Sequence, residues 1–91
     1  SIERIPQLAK AARIRIQDLR IKNIKIKTGD GIEGWKQFSP FDAIIITAGV
    51  EEVPGALFEQ LKNGGVLVAP VGKGADKTMT RFIKNKSWLP L

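Results

Sequence analysis

Cysteine is absent from the 91 residues, and so is histidine. The first absence excludes disulfides and thiolate metal sites, and the second removes the commonest metal ligand and the commonest general base. A zinc enzyme or a Ser-His-Asp hydrolase is therefore excluded within this chain. Long apolar runs are missing too: the longest, Ala43 to Ala48, is far too short to span a bilayer. The sequence opens with neither an initiator Met nor a basic stretch followed by an apolar core, so no signal peptide is read and the start at Ser1 is expected to be a cut edge. The residues that are present, 43% apolar and 26% charged, suit a soluble globular chain and argue against disorder. A chain of this length holds one domain at most and has little stability to spare.

The net charge of +6 is unevenly spread. Residues 1–28 carry eight Lys/Arg against Glu3 and Asp18, residues 29–72 carry Lys36 and Lys62 against six acids, and the tail from Lys73 carries five bases against Asp76. A basic flank can meet phosphate or an acidic polypeptide. A base-stacking surface, however, wants aromatics interleaved with its bases, and Trp35, Phe38, Phe41, Phe58, Phe82 and Trp88 all lie outside the run Arg13 to Lys27. A solvated basic face is the better reading of that run, ahead of a nucleic-acid site.

Along the chain, Pro6 suits a first helical position, where its missing N–H would be unpaired in any case. Ile5, Leu8, Ala12, Ile16 and Leu19 recur at helical spacing as one apolar stripe, with Ile14 off it. Ile24 to Thr28 alternates with period two and predicts a strand with one face in the core. Gly29-Asp30-Gly31 breaks it. Phe41 to Ala48 is a β-branched run without polar alternation, expected to be a strand buried on both faces. Ser39 with Asp42 imitates a capping box, but the β-branched run that follows makes it a false match. Pro54 opens a second predicted helix, with Ala56, Leu57, Phe58 and Leu61 on its apolar side and Asn63-Gly64-Gly65 ending it. Val66 to Val71 predicts another buried strand, Gly72 to Asp76 a loop, and Thr78 to Lys84 a weaker strand at an edge.

Strand, helix, strand, strand, helix, strand is the α/β doubly wound pattern, in which ligands lie at the carboxyl ends of strands. Three places qualify: Glu3 after the first strand fragment, Asp30-Gly31 after the second, and Thr47-Ala48-Gly49 after the third. A carboxylate there can accept both hydroxyls of a ribose, and a neighbouring Gly lets the backbone approach a flat adenine. Equally, Asp30 can be a turn former between glycines and Glu3 a surface acid; spacing alone leaves the two readings even. Two short motifs carry less weight. Gly72-Lys-Gly-Ala-Asp-Lys-Thr78 lacks the glycine that a phosphate loop has before its lysine, and Asn85-Lys86-Ser87 matches a glycosylation pattern common by chance.

Four segments carry a resemblance: Ser1-Ile-Glu-Arg-Ile-Pro6, Gly29-Asp-Gly-Ile-Glu-Gly-Trp35, Ser39-Pro-Phe-Asp-Ala-Ile-Ile-Ile-Thr47, and Leu61-Lys-Asn-Gly-Gly-Val-Leu-Val-Ala-Pro-Val-Gly72. In order and spacing they are similar to consecutive segments of protein-L-isoaspartate O-methyltransferases. The likeness covers most of the chain, and the combination is far more specific than any one segment. Trp88-Leu-Pro-Leu91 resembles the family's aromatic-x-Pro-Leu segment, although the path to it from Gly72 is short.

The resemblance implies a partial Rossmann-like fold for S-adenosylmethionine-dependent methyl transfer, residues 1–91 forming a single partial methyltransferase domain. The family's first strand, its Gly-rich loop and its hydroxyl-bearing catalytic segment would lie upstream of Ser1, so no catalytic residue and no metal site is assigned here. Glu3 is implied to bind the cofactor ribose, and Asp30 and Gly31 to border adenine. Ala48, Gly49 and Val50 are implied to face the substrate, where the family more often has a run of alanines and a proline. The implied cofactor is S-adenosylmethionine, with its site incomplete in this chain, and the implied partners are isoaspartyl-containing polypeptides of the cytoplasm. Alignment of a carboxylate with an electrophilic methyl group is mainly a proximity effect, so the lack of His and Cys is no objection. The missing strand would leave Ile44-Ile45-Ile46 with an open apolar edge that invites self-association. Two other classes stand beside this reading: an inactive remnant that assembles with a partner chain, and a basic nucleic-acid-binding module.

Overall fold

The computed structural model describes residues 1–85. Its strands are β1 (Ile2–Glu3), β2 (Lys27–Thr28), β3 (Phe41–Ile45), β4 (Leu61–Val71) and β5 (Thr78–Ile83), and its helices are α1 (Pro6–Asp18) and α2 (Gly55–Glu59). They fall into two compact units, one from Ser1 to Gly34 and the other beginning at Trp35.

The first unit is a β-α-β turn of chain. Pro6 stands in the first turn of α1 as expected, and the helix ends on Leu19 with Arg20 in the left-handed region at φ 57°. There Arg20 N–H donates to the Gln17 carbonyl and Ile21 N–H to that of Ile16, both at 3.0 Å, the paired closure that usually recruits glycine. The helix buries less than its stripe suggested. Ala9 is its buried residue, Ala12 and Ile16 are half-buried, and Ile5, Leu8 and Leu19 join Ile14 in being exposed.

β1 and β2 pair in parallel, Ile2 with Lys27 and Glu3 with Thr28. The expected strand from Ile24 is thus cut to two residues, both exposed. The carbonyls just before it are taken by other donors: the Ser1 amino group reaches Lys25 O at 2.7 Å, and Arg13 Nη2 reaches Ile26 O at 3.2 Å. Arg13 also approaches Thr28 Oγ1 at 3.3 Å, tying α1 to β2.

The second unit holds a three-stranded sheet in the order β3-β4-β5, with β3 parallel and β5 antiparallel to β4. Leu57 from α2 and Leu61, Leu67 and Ala69 from β4 form its buried core, against which Ile44, Ile46, Val50, Val53, Val71 and Phe82 pack. Phe58 meets Phe82 edge-on at 5.5 Å. β3 is shorter than expected and is not buried on both faces. Ile44 and Ile46 turn to the core while Ile45 is 72% exposed. Ile45 projects from the opposite face of the strand, away from the core that Ile44 and Ile46 join, and among the described residues β3 is also an edge strand, paired only with β4.

The second helix is also shorter than its pattern. It stops at Glu59 and the chain enters β4 at Leu61, because Phe41 claims this segment: its N–H donates to Gln60 O at 2.7 Å and it pairs with Leu61. Asn63-Gly64-Gly65 therefore lies inside β4, where the register slips between Phe41 and Ala43, and Gly64 uses its positive φ of 80° in that irregularity and not in a helix end. Lys84 fastens the same place, donating from Nζ to Leu61 O at 2.7 Å and to Glu59 O at 3.3 Å. The loop from Gly72 and the edge strand β5 are where the sequence puts them. Trp88 to Leu91 and most of Asn85-Lys86-Ser87 lie outside the described residues.

Candidate functional site

Parallel strands leave their carboxyl ends at one edge of a sheet, and each unit has such an edge. In the first, Glu3 closes β1 and Thr28 closes β2, and Gly29 N–H donates to Glu3 O at 3.0 Å, carrying the pairing one step further. Glu3 and the Gly29-Asp30-Gly31 turn therefore share the edge. One Glu3 oxygen, Oε1, accepts Ile5 N–H at 3.1 Å; its other oxygen is engaged by no described residue. The side chain is half-buried, so its carboxylate is held at the edge and not adrift in solvent.

Asp30 is a turn former: Oδ1 accepts Ile32 N–H at 3.0 Å and caps the 3-10 turn Gly31–Glu33. That use occupies one oxygen and leaves the second engaged by no described residue, so the turn role and a ligand role are compatible. Gly31 is more telling. It has no positive φ, and a β-carbon built on it would meet nothing within 4 Å. Among the described residues neither backbone conformation nor packing calls for glycine there, and the bare backbone presents an open surface on which a flat ring can lie.

In the second unit the turn Ala48-Gly49-Val50 follows β3. Val50 N–H donates to Pro70 O at 2.9 Å and Gly72 N–H to Val50 O at 3.0 Å, so the turn is stitched to the end of β4. The loop beyond β4 folds tightly; a β-carbon at Gly72 would collide with the Asp76 carbonyl. Lys77, just before β5, crosses this loop, and its Nζ donates to Gly72 O. Its aliphatic stem lies over Gly49, where a β-carbon would stand 3.0 Å from Lys77 Cε. From the sequence Lys77 figured only in the incomplete phosphate-loop match, because no local pattern reports a side chain that crosses between two turns. Gln60 was missed as well. Buried at 8% exposure, it accepts Trp35 N–H at 2.8 Å. Among the described residues no group of three or more acidic side chains gathers to hold a metal ion, and no helix is long and apolar enough to cross a membrane.

Comparison with known proteins agrees with this geometry. The sequence model of the protein-L-isoaspartate(D-aspartate) O-methyltransferase family matches residues 1–89. A protein-L-isoaspartate O-methyltransferase of Helicobacter pylori strain G27 is 39% identical over 89 residues, which is 98% of this chain and 43% of that protein. A solved protein-L-isoaspartate O-methyltransferase superposes with a TM-score of 0.88 at 35% identity, covering 94% of this chain and 28% of its own. A Plasmodium falciparum protein assigned as a protein-L-isoaspartate O-methyltransferase, solved in complex with S-adenosyl-L-homocysteine, superposes with a TM-score of 0.77 at 25% identity, covering 91% of this chain and 42% of its own. The chain thus spans about two fifths of the length of the curated relatives it matches, and its fold is part of their Rossmann-like methyltransferase domain. With four sequence segments, two parallel β-α-β units and a family match over nearly every residue in agreement, the chain belongs to the protein-L-isoaspartate(D-aspartate) O-methyltransferase family.

Proposed function

We propose that this chain is part of a cytoplasmic enzyme that transfers a methyl group from S-adenosylmethionine to the carboxylate of L-isoaspartyl residues in damaged polypeptides, the first step of their repair. The observation that carries the reading is the juxtaposition of Glu3 with Asp30-Gly31 at the carboxyl edge of a parallel strand pair, in a chain of this family. Glu3 would hold the ribose hydroxyls with the oxygen not spent on Ile5 N–H. Asp30 and Gly31 would border the adenine, the first as a fixed acceptor and the second as an open backbone surface. The cofactor's contribution is an electrophilic methyl group; the protein's is alignment, which needs no metal and no acid-base pair.

In the second unit the turn Ala48-Gly49-Val50 would meet the substrate. Residues 1–91 form part of a single methyltransferase domain in this reading, and because they hold the ribose and adenine side without the family's Gly-rich loop, they are inactive alone. The edge of β3, with Ile45 72% exposed, supports self-association of this piece. Nucleic acid is not part of the reading: Arg13, inside the basic run, directs its guanidinium to Ile26 O and Thr28 Oγ1.

The test is methyl transfer from radiolabelled S-adenosylmethionine by the full chain that carries these residues, with an L-isoaspartyl peptide as substrate and its normal aspartyl counterpart as control. Transfer to the isoaspartyl peptide alone is expected. Equal transfer to both, or to neither, would overturn the reading.

A further inference from the structure

Lys77 sits at the meeting point of three chain ends. β3 and β4 are parallel, so the turn at Gly49 and the loop at Gly72 leave the same edge of the sheet, and β5, antiparallel to β4, begins at that edge too. Lys77 immediately precedes β5, lays its stem over Gly49 and donates from Nζ to the Gly72 carbonyl. The side chain is half-buried, so its head is held in place and not waving in solvent. An ammonium has three N–H donors, and the described residues engage one of them. The stem also crowds position 49: a β-carbon there would lie 3.0 Å from Lys77 Cε and 3.3 Å from its Cδ, so the stem would have to yield slightly.

From this we infer that Lys77 is a specificity-determining residue, whose ammonium binds a carboxylate of the polypeptide substrate beside Gly49. The inference rests on the methyl-transfer reading above and adds to it a named recognition element. A positive charge at the ligand edge, anchored by the Gly72 carbonyl and by the packing of its stem on Gly49, draws a carboxylate to that edge. Where that carboxylate is the isoaspartyl one, methylation removes the negative charge that the ammonium holds and so favours product release. Lysine suits the task as a compact point charge with rotatable donors.

The experiment uses the full chain and two L-isoaspartyl peptides, one with neutral residues flanking the isoaspartate and one with a flanking Asp. Lys77→Met keeps the stem over Gly49 and removes the charge. Its KM should rise roughly tenfold, the scale of a lost charge-assisted hydrogen bond, while kcat and the affinity for S-adenosylhomocysteine stay within about twofold. A rise on both peptides places the ammonium on the isoaspartyl carboxylate; a rise on the acidic peptide alone places it on the flanking one; either supports the inference. Lys77→Arg should recover part of the loss. Gly49→Ala, which pushes the stem aside, should raise KM in the parent chain and add little in Lys77→Met, as expected for groups acting as one unit. An unchanged KM on both peptides with an active parent overturns the role of Lys77 and leaves the methyl-transfer reading standing. A parent that methylates neither peptide overturns both.

Discussion

Gln60 Oε1 accepts the backbone N–H of Trp35 at 2.8 Å, joining the end of α2 to the start of the segment that leads into β3. The amide side chain is 8% exposed, and its own backbone carbonyl accepts Phe41 N–H at 2.7 Å. One residue therefore fixes both ends of the irregular stretch from Trp35 to Phe41. Gln60→Leu keeps the volume and strands the Trp35 donor, so it should cost roughly 1–3 kcal/mol of stability. Denaturant unfolding followed by tryptophan fluorescence checks this. A change within about 0.5 kcal/mol, the range of ordinary surface substitutions, would show that solvent satisfies Trp35 equally well.

Gly65 and Gly31 make a contrasting pair. A β-carbon at Gly65 would stand 2.7 Å from Lys62 O and 2.8 Å from Leu61 Cγ, whereas one at Gly31 would touch nothing. Gly65→Ala should therefore destabilise the fold by about 1–3 kcal/mol through overpacking. Gly31→Ala should leave the unfolding midpoint nearly unchanged and weaken S-adenosylhomocysteine binding, because its methyl group occupies the surface reserved for adenine. Thermal melts and isothermal titration on the two variants separate the effects. If Gly31→Ala binds as tightly as the parent, adenine does not lie on that surface.

The places where sequence reading succeeded and failed differ in range. Pro6 as a helix start, the loop from Gly72 and the edge strand after it were legible because each depends on residues next to it. The end of α2 was not. Leu61 fits the apolar side of a helix as well as a strand, and the decision belongs to Phe41, which pairs with it from twenty residues upstream. The closure of α1 hid for another reason: Arg20 holds a left-handed position without the glycine that would announce it. At the candidate site, Glu3 and Asp30 could be placed at a carboxyl edge from strand order alone, their ligand role resting on the family resemblance. Lys77 could not, since its place over Gly49 exists only once two loops are brought together.

The edge of β3 yields a prediction about association. Ile45 is 72% exposed and, among the described residues, its strand is paired on one side only. An apolar strand edge of this kind templates pairing with another chain. Residues 1–91 on their own should show a size that grows with concentration in sedimentation velocity, and Ile45→Lys should shift them toward monomer by placing a charge on the strand. A sharp thermal transition of a monomer, independent of concentration, would rule out association through this edge.

The two acidic residues at the carboxyl edge of β1 and β2 can be tested for a ligand role apart from their structural one. Asp30→Asn retains an oxygen able to accept Ile32 N–H, so the turn at Gly31–Glu33 should persist. Glu3→Gln likewise retains an acceptor for Ile5 N–H. Each nevertheless replaces one carboxylate oxygen by an amide NH2, turning an acceptor into a donor and removing the charge. If Glu3 accepts the ribose hydroxyls and Asp30 borders the adenine, each variant of the full chain should lose roughly tenfold in affinity for S-adenosylhomocysteine, about 1.4 kcal/mol, with its unfolding midpoint unmoved. Asp30→Ala should lose both affinity and stability, because it also leaves Ile32 N–H without its partner. Affinity preserved in Asp30→Asn but lost in Asp30→Ala would mean that Asp30 serves only to shape the turn, and the ribose and adenine side of the site would then rest on Glu3 and Gly31.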